Sequence, residues 1–119
     1  MPPLESAVKE LRQTLVADPT APEWRWNLRR RLSEVKEALS GPAPGHHDAW
    51  LAARDRLSTR ERITLQARVT ALAAGVLERL DDQSIAQEVR RLLGDLEHHV
   101  QRVHDLVYDS VSLELGGSE

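Results

Sequence analysis

Two long segments, Asp48 to Leu80 and Ile85 to Ser110, repeat their apolar residues at the period of an α-helix, and only "DDQS" lies between them. No other feature constrains the fold as strongly. A link that short between long helices forces an antiparallel hairpin. In the first segment the stripe is Trp50, Leu57, Leu65, Val69, Leu72 and Val76. In the second it is Ile85, Val89, Leu92, Leu96, His99, Val103 and Leu106, widened by Leu93, Val100, Val107 and Val111. Spacings of three and four residues put each set on one helical face. Asp48 is placed to cap the first segment, and Ser84 with Gln87 to form a capping box at the second. Gly75 weakens the last turns of the first by about 1 kcal/mol relative to alanine.

Two shorter helices precede the hairpin. Leu4, Val8, Leu11 and Leu15 stripe a helix over Leu4 to Ala17, which "DPTAP" ends because proline cannot occupy a helix interior. Thr20 and Glu23 read as a capping box for the next, with Pro22 in its first turn. Its stripe is Trp24, Leu28, Leu32, Val35 and Leu39, and "SGP" stops it. The loop "GPAPGHHD" follows. The glycines of "SLELGGSE" predict a flexible tail from about residue 112, with Val111, Leu113 and Leu115 alternating as a short extended segment would. The expectation is an all-α, antiparallel bundle of four helices in a single domain over residues 1–119, a length sufficient to bury a core.

Composition narrows the chemistry. The chain has no cysteine, which excludes disulfides, thiolate ligands and zinc fingers. A net charge of -3 gives no basic patch of the kind that binds nucleic acid. No apolar run reaches membrane-spanning length, and "MPPLESAVKE" lacks the pattern of a signal peptide, so a cytoplasmic protein is expected. Two lysines against fourteen arginines suit a GC-rich bacterial genome. There is no Gly-rich phosphate loop and no Ser–His–Asp arrangement. No enzyme activity and no cofactor are expected.

Three of the five histidines fall in "LGDLEHHVQRVHDLVYD". Two helical residues share a ligand only at i,i+3 or i,i+4. His98 and His99 are adjacent, and His99 and His104 are five apart, so neither pair fits. With the hairpin turning between Asp82 and Gln83, His104 faces Glu61. Glu61 sits on the apolar stripe between Leu57 and Leu65, where a carboxylate is costly unless paired. The expectation is therefore an interhelical pair of Glu61 and His104. The alternative is a metal site built from His99, His104 and Glu61 in a hemerythrin-like or di-iron bundle.

On the second helix, Arg25 and Arg29 share a face and suit either a phosphate or solvent, and Trp26 suits an interface anchor. The two short helices cover only part of the long hairpin. An uncovered apolar face on a small protein marks a partner surface, so the expected state is a homodimer, with another protein as a possible second partner.

"EWRWNLRRRLSEVKEAL" together with "LEHHVQRVHDLVYDSVSLELGGSE" resembles an uncharacterised family of small helical proteins from actinobacteria. The resemblance covers most of the chain and implies no assigned role.

Overall fold

The computed structural model describes the backbone of residues 4–40, 49–78 and 81–117, and the side chains of 4–40, 59–78 and 81–105. Four helices make up the described chain: α1 Leu4–Leu15, α2 Trp24–Ser40, α3 Ala49–Val76 and α4 Asp82–Gly117. No strand occurs among the described residues.

The helices pack in sequence around a ring. α1 lies against α2 and α4, and α3 lies against α2 and α4. Ion pairs give the directions. Arg12 meets Glu97 and Glu5 meets His104, so α1 runs antiparallel to α4. Arg25 reaches the Val76 carbonyl and Arg62 reaches the Leu39 carbonyl, so α2 runs antiparallel to α3. The result is an up-down-up-down bundle measuring 59 × 23 × 21 Å.

Among the described side chains the predicted stripes form the core, with Leu4, Leu72, Val100 and Val103 only partly buried; Trp50, Leu57, Leu106, Val107 and Val111 lie outside the described side chains. Val8, Leu11 and Leu15 of α1, Trp24, Leu28, Leu32, Val35 and Leu39 of α2, Leu65, Val69 and Val76 of α3, and Ile85, Val89, Leu92, Leu93 and Leu96 of α4 are all buried. Burying each such side chain is worth roughly 1.5–3 kcal/mol. Trp24 is also anchored by its indole N–H, which donates to the Thr14 carbonyl at 3.2 Å. That bond ties the start of α2 to the end of α1.

The helix ends differ from the sequence expectation in instructive ways. Thr20 does not cap α2 through Glu23; its amide and hydroxyl both donate to Asp18 Oδ1, closing a tight turn. The Thr20 hydroxyl, then its amide, hold the Asp18 carboxyl below the usual carboxylate range. The cap of α4 is Asp81 rather than Ser84: the Ser84 amide donates to Asp81 Oδ1 at 2.7 Å. α3 ends at Val76, four residues short of Leu80, just past Gly75. α4 continues to Gly117 rather than stopping near Ser110, so the backbone at 112–117 is helical. The stretch holds no proline, and each glycine costs a helix only about 1 kcal/mol.

Length is the remaining fact about the architecture. With 12 and 17 residues, α1 and α2 span about 18 and 26 Å, against about 42 and 54 Å for the 28 and 36 residues of α3 and α4. The short pair therefore cannot line the whole hairpin.

Candidate functional site

His99 is 1% exposed, the one buried polar residue among those described. Its Nδ1 lies 2.6 Å from Glu61 Oε1. The other Glu61 oxygen pairs with Arg102, one turn beyond His99 on α4. An ionised carboxylate only accepts, so His99 carries its proton on Nδ1 and donates it to Glu61. His99 Nε2 is then left buried without a hydrogen-bond partner. Glu61, on the apolar stripe of α3, is thus satisfied from two sides by α4.

This corrects the expected pairing of Glu61 with His104. His104 is more than half exposed, and its Nε2 lies 3.4 Å from Glu5 on α1. The reason is register. α3 ends at Val76 and α4 begins at Asp82, so Asp82 and Gln83 belong to α4 and the hairpin does not turn between them. Facing positions on α4 move by more than one turn, and His99 arrives opposite Glu61.

The same shift separates the three metal candidates. His99 and Glu61 are together, while His104 faces a different helix. His98 is exposed. No group of three or more His, Asp or Glu side chains converges among the described residues. His46 and His47 lie outside the described residues.

The α2 candidates have separate duties. Arg25 is a clamp: its guanidinium donates to the Val76 carbonyl and to Asp82 Oδ1, each at 3.0 Å. One side chain thereby joins the start of α2 to the end of α3 and the start of α4. Arg29 lies over the Trp26 ring, 6.0 Å from its centroid. Trp26 is 62% exposed. Arg25 and Arg29 therefore do not form a free phosphate-binding pair. Arg62 plays a capping part at the other end of α2, donating to the Leu39 carbonyl at 2.7 and 3.1 Å.

Two open grooves mark the surface. One of about 430 Å³ lies at the α1–α2 corner beside Thr14, Trp24 and Arg31. Another of about 560 Å³ runs between α3 and α4 beside Ala71, Leu72, Gly75 and Gln87. The first is also lined by Glu10, Asp18 and Glu23, and the second by Arg68, Ser84 and Glu88; no histidine lines either.

The surface feature that sequence reading missed is the outer face of α3. Ile63, Thr64, Ala67, Thr70, Ala71 and Ala74 are all exposed. None carries a charge, in a chain that is 29% charged. Ile63 is 61% exposed and is one of three large hydrophobic residues so exposed among those described. The signal was available: between the core positions Leu65, Val69 and Val76, most of the remaining positions of α3 are Ala or Thr, and the one charge, Arg68, pairs with Asp95 of α4. A surface helix ordinarily has a charged or polar face opposite its apolar one. Among the described side chains, the exposed faces of α1, α2 and α4 carry charges.

No helix among the described residues is long and apolar enough to cross a membrane. No family model, no curated protein and no solved structure matches the chain.

Proposed function

We propose that this chain is a non-enzymatic interaction protein of the bacterial cytoplasm that works through its surface as a homodimer. The observation that carries the reading is the charge-free outer face of α3 from Ile63 to Ala74. A helix with no charge on its outer side suits a place between two layers of protein, and the bundle supplies only one. The mismatch in helix length points the same way, because α1 and α2 are too short to cover the hairpin. Catalysis is not favoured: His99, the one buried titratable side chain among those described, is held by Glu61 within the packed bundle and lines neither groove.

The metal-binding alternative retains one supporting observation, the unpartnered Nε2 of His99 beside Glu61. One experiment separates the two readings. Tag-free protein is passed over a sizing column with light scattering, and the peak is assayed for iron, zinc and manganese. The proposal expects a mass of twice 13.4 kDa and no stoichiometric metal. A monomer, or a full equivalent of metal, would overturn it.

A further inference from the structure

We propose that two copies pair through the outer faces of α3, antiparallel, about a twofold axis passing midway between Ala67 and Ala71, so that Arg60 of each copy meets Glu78 of the other. This rests on the homodimer reading above and names its contact surface.

The charge-free face has a charged residue at each end. Arg60 precedes it and Glu78 follows it, and both are exposed. Eighteen residues separate them, which is five helical turns and about 27 Å. The chain leaves α3 at Val76, and the Glu78 amide bonds back to the Gly75 carbonyl at 3.2 Å, a tighter turn that keeps Glu78 at the end of the helix. Arg60 and Glu78 therefore stand at opposite ends of the face, with the uncharged residues between them. Neither makes an ion pair among the described residues, although most of their charged neighbours do. Glu78 is also an anion at a helix C-terminus, where the helix dipole disfavours it unless a cation is supplied.

A face with a cation at one end and an anion at the other is self-complementary in only one sense. Parallel pairing sets like charges together. Antiparallel pairing about a twofold exchanges the ends and forms the Arg60–Glu78 contact twice, as an isologous interface requires. The sizes agree with the same axis. Ile63 and Ala74 lie almost equally far from its centre and are displaced to the same side of the face. The large exposed Ile63 of one copy thus meets the small Ala74 of the other. Ala67 meets Ala71 at the centre, where small side chains allow the helices to approach closely. Complementary charge fixes register and orientation more than raw affinity.

Sedimentation equilibrium at low salt tests this with four variants, each at an exposed position so that the monomer fold is kept. Arg60→Glu and Glu78→Arg alone each place like charges together at both symmetric contacts, and each is expected to weaken the dimer about tenfold or more. The double variant restores unlike pairs and should recover most of the wild-type affinity. Ala67→Glu, which puts a charge beside the axis, should give monomer with an unchanged circular dichroism spectrum. If wild type is itself monomeric, the homodimer reading falls and this proposal with it. If wild type is dimeric and Ala67→Glu leaves it so, the homodimer reading stands and this face is the wrong one. If the single reversals weaken the dimer and the double variant does not recover, the antiparallel register is overturned.

Discussion

Glu61 receives the hydrogen bond of His99, at 2.6 Å, and not that of His104. The bond satisfies a carboxylate that the apolar stripe of α3 would otherwise strand, and it orients a histidine that is 1% exposed. It also leaves His99 Nε2 without a partner. The two partners should therefore respond differently to replacement. Glu61→Ala leaves both ring nitrogens of a buried histidine unpaired, which costs roughly 1–3 kcal/mol. His99→Leu removes the orphaned nitrogen and fills the space, while Glu61 keeps Arg102, so it should cost under about 1 kcal/mol or stabilise. His104→Ala, at an exposed site, should stay within about 0.5 kcal/mol of wild type. Urea denaturation of the three variants checks the order. A larger loss for His104→Ala than for Glu61→Ala would return the pairing to His104.

Arg25 joins three helices through one guanidinium, so its loss should be felt at the hairpin turn. Its side chain is 30% exposed and its partner Asp82 is 48% exposed, which reduces the gain from charge alone. The bond to the Val76 carbonyl remains, and Arg25→Ala is expected to cost about 1–2 kcal/mol. Arg25→Lys should recover little of it, because an ammonium cannot present two forked donors to Val76 and Asp82 together. Full recovery by lysine in thermal melts would show that charge, and not geometry, is what matters there.

The cap of α4 gives a pH dependence with a definite sign. Hydrogen bonds from the Ser84 hydroxyl, then from its amide, with Arg25 nearby, hold the Asp81 carboxyl below its ordinary value of 3.8. A group lowered on folding adds stability above its unfolded pKa and loses that contribution as pH falls through the folded one. Asp81→Ala should therefore destabilise the protein at pH 6, and the difference from wild type should shrink as the pH is taken well below 3.8. Denaturation of both proteins across that range decides it. A gap that is constant with pH would mean that the carboxylate is not the cap.

The helices and their buried faces were legible in the sequence because a 3.6-residue period is a local property, and every core stripe rests on it. The pairing of Glu61 was not, because it depends on where a hairpin turns. Asp81 and Ser84 are both acceptable caps, and choosing Ser84 moved the turn and gave Glu61 the wrong histidine. The outer face of α3 escaped for a different reason. Ala67, Ala71 and Ala74 are good helix formers and pass as neutral filler when attention is on the leucine stripe. Their meaning appears only when solvent exposure shows that no charge stands on that side. The helical backbone of 112–117 escaped because Gly116 and Gly117 suggest a break, although two glycines without a proline do not force one.

If two copies meet across α3, a distance between copies shows it most directly. The chain has no cysteine, so Thr70→Cys provides a single labelling site, exposed and close to the proposed axis. Spin labels there should couple strongly between protomers, at about 20 Å or less, because paired helices pack with their axes roughly 8–10 Å apart. Labels on Arg60→Cys, at the end of the face, should lie farther apart, near the 27 Å that separates Arg60 from Glu78 along the helix. A short distance at residue 70 with a longer one at residue 60 is the predicted result. No coupling between protomers at residue 70, or the shorter distance at residue 60, would contradict it.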